Sequence, residues 1–232
     1  DYNAYSDFIS SEGAPVFYAR VDHVSVPLDK EGTGQVVVDF TPEPLTQDVS
    51  FAFHIEKTAG VVVDSLTAEI SGVPSTMELT TGLILAQKTY KLLFRPAYAA
   101  LPSAADSTST EALRCEAAVN IPGIVRSHTE DMVTGPGILQ IAIYTHYDYE
   151  EEGTQRKAAK VFHAGINLYH TLKECKSLQW DEEAGGYRQA SRSITVEIGT
   201  SLEIDKDGIL NSGSTSTGLD QWIPGETFEI EV

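Results

Sequence analysis

Phe51, Phe53 and Ile55 alternate with His54 and Glu56. A period of two puts three large apolar groups on one face and two polar groups on the other, the pattern of a half-buried strand. The same pattern recurs along the chain. Val16–Val26 is rich in β-branched and aromatic residues and reads as a strand that Pro27 ends. Lys30–Gly34 is a turn cluster, and Gln35–Phe40 follows as a second strand, stopped by Thr41–Pro44. Residues 49–70 read as an antiparallel hairpin around Thr58, Ala59 and Gly60, with glycine where a positive φ is needed. In it Phe51, Phe53 and Ile55 are expected to be buried, and His54 and Glu56 more exposed.

Ser71–Pro74 reads as a turn, and Leu83–Arg95 as a long strand. Leu113–Asn120, Ile138–Tyr149, Lys160–Leu168, Ser193–Ile204 and Thr227–Val232 complete the strand series. Within 158–172 helical and strand spacings compete. Gly165 and Asn167 are poor helix-interior residues, so a strand is expected, with a short helix over Thr171–Leu178. Roughly ten or eleven strands separated by turns fit a β-sandwich or a pair of them. The stretch Leu101–Thr110 is small, polar and proline-containing. It is expected to divide an N-terminal β-sandwich domain, 1–104, from a C-terminal one, 105–232. The C-terminal segment Thr227–Val232 is expected to pair at a sheet edge with Phe228, Ile230 and Val232 covered, since Glu229 and Glu231 alternate with them.

Charge narrows the partners. The net charge of −18 is spread over both halves and opposes nucleic acid and any polybasic docking on anionic lipid. No stretch approaches the roughly 18–20 apolar residues of a membrane-spanning helix. The chain starts at Asp1 without a hydrophobic leader, as expected if a leader has been removed or the sequence trimmed. Cys115 and Cys175, sixty positions apart, form no CxxC motif. Spacing leaves a disulfide and two buried thiols equally open.

Candidate chemistry is sparse. Glu203, Asp205, Asp207 and Gly208 fall at positions one, three, five and six of a calcium loop, but position twelve, which requires a bidentate acid, is Ser214. An acidic β-turn is the simpler reading. His146 with Asp148 shares a strand face that a metal would use, whereas Glu150–Gly153 reads as a solvated hairpin tip. The histidines at 23, 54, 128, 146, 163 and 170 show no zinc spacing. No GxSxG motif occurs, and Gly135–Gly137 and Gly185–Gly186 lack the context of a phosphate loop. Among 34 acidic residues some carboxylate pair always exists, so a glycosidase reading gains nothing from one. No catalytic residue, cofactor or metal is expected. Trp180 and Trp222, with ten tyrosines, suit either a sugar-stacking platform or core packing, and core packing is the commoner use.

The stretch Val49–Lys57, then Val61–Ile70, then Ser71–Gly82 resembles the fimbrillin-like surface proteins of Bacteroides-type bacteria, as does the closing segment Leu219–Val232. The likeness is firmest over 49–82 and marks packing rather than catalysis. It implies two transthyretin-like or immunoglobulin-like β-sandwich domains, mainly antiparallel. It implies a non-enzymatic, secreted lipoprotein of the cell outer membrane, acting at the cell surface as a fimbrium or pilus component or anchor in cell adhesion. The lipid-bearing cysteine would precede Asp1. Partners would be other fimbrial subunits or surface proteins, joined by strand pairing, and a host or glycan ligand; the membrane would be met only through the lipid. Polymerising members are cut after an early-loop arginine, whereas Arg20 here lies in an expected strand, which favours an anchor or tip. The alternative is a carbohydrate-binding surface lipoprotein.

Overall fold

The computed structural model describes residues 8–9, 16–21, 23–26, 36–101, 110–210 and 220–230. The described residues form an all-β sandwich with one short helix. The strands begin with β1 (Phe8–Ile9), β2 (Phe17–Tyr18), β3 (Glu43–Pro44), β4 (Gln47–Thr58), β5 (Val62–Glu78) and β6 (Leu83–Phe94). After them come β7 (Ala97–Ala100), β8 (Thr110–Ile121), β9 (Ile138–Glu151) and β10 (Thr154–Asn167). Helix α1 (Tyr169–Cys175) precedes β11 (Leu178–Asp181), β12 (Gly186–Gln189), β13 (Ser193–Glu197), β14 (Leu202–Ile204), β15 (Ile209–Leu210) and β16 (Trp222–Ile230).

One sheet runs β11-β12-β6-β5-β9-β10-β16, with β1 parallel beside β6. A second runs β15-β14-β4-β8-β7, with β13 also on β4, and β2 and β3 pair as a separate two-stranded antiparallel sheet. The pairings of β13 and β14 with β4 are parallel and occupy one edge of β4 in succession. The inner faces meet in one apolar core. Phe51 of β4 stacks on Phe94 of β6 at 5.1 Å, and Phe53 meets Trp222 of β16 at 5.8 Å. Phe51, Phe53 and Ile55 are almost wholly buried, each worth roughly 1.5–3 kcal/mol of transfer free energy.

Strands β4 and β5 exist, and their alternation is as expected, but they do not pair with each other. β4 pairs with β8, Phe53 opposite Cys115, and β5 with β6 and β9. The link at Thr58–Gly60 is an arch between sheets, closed by the Val61 amide on the Thr58 carbonyl at 3.2 Å, with Gly60 at φ +93°. Val61, Leu66, Ala68 and Ile70 thereby face the same core as the β4 phenylalanines. Two adjacent strands of one sheet would leave both apolar faces on one side, uncovered by each other.

The stretch at 101–110 does not separate two cores among the described residues. Tyr98 lies opposite Cys115 and Ala100 opposite Leu113, so this connection joins neighbouring antiparallel strands of one sheet. One core cluster draws on Val49–Phe94 and on Leu113–Trp222 alike. The boundary expected at 104/105 thus falls between β7 and β8, neighbours in one sheet; residues 102–109 themselves lie outside the described set.

Four further expectations also change. Among the described residues Val16–Val26 contributes only β2 and 36–40 are not strand, Gln35 lying outside them, so Arg20 lies in an exposed, irregular segment and donates to the Thr80 carbonyl. Ser71–Pro74 is not a turn but a bulge inside β5, where the register to β6 shifts between Ser71 and Val73. Ser193–Ile204 is split into β13 and β14. The 158–172 stretch resolves as strand β10 followed by α1, which starts two residues before the expected helix.

Candidate functional site

The calcium-like loop is the turn between β14 and β15. Asp205 Oδ1 accepts the amides of Asp207 and Gly208, both at 2.7 Å, and the Asp205 amide meets the Gly208 carbonyl at 2.9 Å. This carboxylate oxygen serves its own turn, the acidic β-turn reading. Ser214 lies outside the described residues. Calorimetric titration with calcium is expected to show no micromolar binding; such affinity, abolished by Asp207→Ala, would establish a site.

His146 does not turn to Asp148. Its Nδ1 lies 2.7 Å from Asp64 Oδ1 and 2.9 Å from Oδ2, across the β5–β9 pairing. His170 similarly meets Glu130 at 2.6 Å, and His163 meets Phe228 edge-on. No group of three or more His, Cys, Asp or Glu side chains is gathered in metal-binding geometry among the described residues. Glu152 and Gly153, at φ +51° and +78°, form the two-residue tip of the β9–β10 hairpin, as expected for 150–153. Gly185 closes the β11–β12 turn and Gly186 opens β12, while Gly137 packs under Val125 and Ser127. Hydrogen bonds from Thr81 and Thr80 hold the Glu78 carboxyl below its usual range. Arg188 does the same for Asp181. Both shifts are opposite to what a general acid needs.

Both cysteines are free. Burial pushes the Cys115 thiol up to about 12 and raises Cys175 as well. The neutral thiol is therefore inert, and native Cys115 is expected to resist a thiol reagent that labels it after unfolding. A raised acid pKa leaves its stabilisation intact below the ordinary thiol value of 9.0 and removes it as pH climbs toward about 12. Replacing Cys115 by Ala is expected to flatten that alkaline loss in denaturant titrations.

The two tryptophans divide. Trp222 is in the core, its Nε1 donating to the Thr200 carbonyl at 3.0 Å. Trp180 is 56% exposed and meets Tyr187 edge-to-face at 5.0 Å on the β11–β12 ribbon. That pair lines a cleft with Arg126, Lys173 and Lys176. The cations come from a loop and a helix whose sequences carry no recognisable spacing, so sequence reasoning found the tryptophan and missed its neighbours.

At the far end of the same sheet, β16 pairs only with β10 among the described strands, as expected of an edge. Its apolar face is not covered, however. Ile223, Phe228 and Ile230 are 45–51% exposed. For Phe228 and Ile230 the cause is a bulge, which brings them to the outer face that Ile223 already holds. Between Pro224 and Thr227 the strand uses one residue more than β10 does between Ala164 and Phe162. Every later side chain changes face, so Glu229 lies opposite Lys160 and Phe228 turns outward against His163. Gly225 makes this possible, since a Cβ there would sit 3.0 Å from the His163 carbonyl oxygen. Val232 lies outside the described residues. Comparison of the chain with protein-family models, with curated proteins and with solved structures finds no match.

Proposed function

We propose that this protein is a non-enzymatic structural or adhesive component of a bacterial cell surface, joined to neighbouring copies by strand pairing at β16. The observation that carries this reading is the terminal strand itself: a single-paired edge whose outer face exposes Ile223, Phe228 and Ile230. Main-chain hydrogen bonds along such an edge supply affinity, and side-chain complementarity supplies selectivity. The same chain carries a matching need. Val16, Phe17, Val24, Val26, Val37 and Phe40 have strand-type composition, are 48–74% exposed, and only Phe17 belongs to a strand. The described parts of this segment lie outside the two large sheets, held only by the pairing of β2 with β3, and they complement a sheet edge without a described neighbour head to tail. Pro224, Glu226 and Glu229 limit indiscriminate pairing at that edge. The resemblance of residues 49–82 to fimbrillin-like proteins supports placement at the outer membrane surface.

Light scattering of the full chain over a wide concentration range tests this. Concentration-dependent self-association is expected, lost in Phe228→Lys/Ile230→Lys and equally in Val24→Lys/Val26→Lys, with circular dichroism unchanged. A wild-type chain that stays monomeric throughout overturns the reading, as does association indifferent to both double variants.

A further inference from the structure

The cleft beside Trp180 stands out against the charge of the molecule. The chain carries −18, yet Arg126, Lys173 and Lys176 all line this one cleft, about 380 Å³ in volume, and no carboxylate lines it among the described residues. None of the three makes an ion pair with a described residue. Arg126 instead lies over the Tyr169 ring at 4.9 Å. Asp181, next to Trp180, is engaged by Arg188 at 2.7 Å.

Three segments build the cleft, and buried hydrogen bonds fix them to one another. On one side of Arg126, the Val125 amide donates to the Gly72 carbonyl at 2.9 Å; on the other, the Ser127 hydroxyl donates to Asn167 at 2.8 Å. The Ile124 amide donates to the hydroxyl of fully buried Ser177 at 3.0 Å, tying this loop to the end of α1 that carries Lys173 and Lys176. The β11–β12 ribbon, with Trp180 and Tyr187, follows directly. Attraction to a helix C-terminus accounts for Lys173. It does not account for Arg126, which comes from another segment, nor for a tryptophan left 56% exposed beside it.

We propose that this cleft binds an acidic saccharide: a ring stacks on Trp180 while its carboxylate or sulfate is held by Arg126, Lys173 and Lys176. An exposed indole face suits the apolar face of a pyranose, and anchored backbone reduces the entropy of ordering the site. Screening limits the acidic remainder of the surface to a range of about 8 Å at physiological salt, so a ligand with spaced charges responds to the local cations. The dense phosphates of a nucleic acid meet more of the repulsion.

Tryptophan fluorescence reads the site directly, since Trp180 is exposed and Trp222 is buried. The full chain is titrated with a galacturonate tetrasaccharide, a sulfated chondroitin tetrasaccharide, neutral maltotetraose and a dinucleotide. At least one acidic saccharide is expected to give saturable quenching about tenfold or more tighter than maltotetraose, and weaker as salt rises. Calorimetry is expected to show about tenfold or greater loss in the triple variant Arg126→Gln/Lys173→Gln/Lys176→Gln, and loss in Trp180→Ala, with the near-ultraviolet dichroism of Trp222 retained. Equal binding of the neutral sugar, tighter binding of the dinucleotide, no saturable binding at all, or an unaffected triple variant would each overturn the proposal.

Discussion

Gly72→Ala is expected to destabilise the chain by about 4 kcal/mol, the sum of two separable costs. The first is conformational. Gly72 has φ +91°, and an L side chain in that region costs roughly 1–2 kcal/mol. The second is steric. A Cβ at Gly72 would stand 2.6 Å from the Val125 carbonyl oxygen and 2.7 Å from the Gly137 nitrogen. Both are backbone atoms and cannot swing aside. Overpacking of that kind adds roughly 1–3 kcal/mol. The two strands of chain it would push apart are those the site depends on. Val125 donates to the Gly72 carbonyl, Gly137 donates to the Ser71 carbonyl, and the Ser71 hydroxyl bridges the Ile138 amide and carbonyl. Gly60→Ala is the internal control. Its φ of +93° is nearly the same, but a Cβ there meets nothing within 4 Å. It is expected to cost only the conformational part, about 1–2 kcal/mol. Urea denaturation of the two variants measures the difference; equal losses would show that the contact at Gly72 relaxes freely.

The glycine of the Ser71–Pro74 motif was visible in the sequence. Its setting was not. A short segment containing glycine and proline reads as a turn because turns are local and turn residues announce them. A bulge inside a 17-residue strand is specified by what crosses it, here Val125 and Gly137, more than fifty residues away in sequence. The arch at Thr58–Gly60 is the same kind of case. Alternation gave both strands and their buried faces, since period two depends only on one face being covered. Whether two successive strands pair or face each other depends on who occupies their edges, and β8 and β13 claim both edges of β4. The outward turn of Phe228 depends on one extra residue in β16, which alternation counted from the C-terminus does not register. In the candidate site, Trp180 could be singled out by residue type, but Arg126 and Lys176 become its neighbours only through Ser177 and Ile124.

Asp220→Ala is expected to cost about 2–4 kcal/mol, more than a surface acid ordinarily would. Helix α1 has seven residues, far below the length at which a helix is stable alone. Its N-cap position is Leu168, which has no side chain able to accept a hydrogen bond, and no acid stands in its first turn. Asp220, fifty residues on, supplies the cap from outside. Its Oδ1 accepts the His170 amide and its Oδ2 the Thr171 amide, both at 2.9 Å, and its carbonyl accepts the Thr200 hydroxyl. Asp220 is only 7% exposed, so removing the carboxylate leaves two part-buried donors without their acceptor. The same residue leads the chain into β16, two positions before core residue Trp222. Loss of the cap therefore loosens both the helix end that carries Lys173 and Lys176 and the entry to the terminal strand. Hydrogen exchange is expected to accelerate first at His170 and Thr171 and then along β16, with Asp220→Asn intermediate because it keeps one acceptor oxygen. If exchange at those two amides is unchanged in Asp220→Ala while the overall stability falls, capping is not the source of the loss.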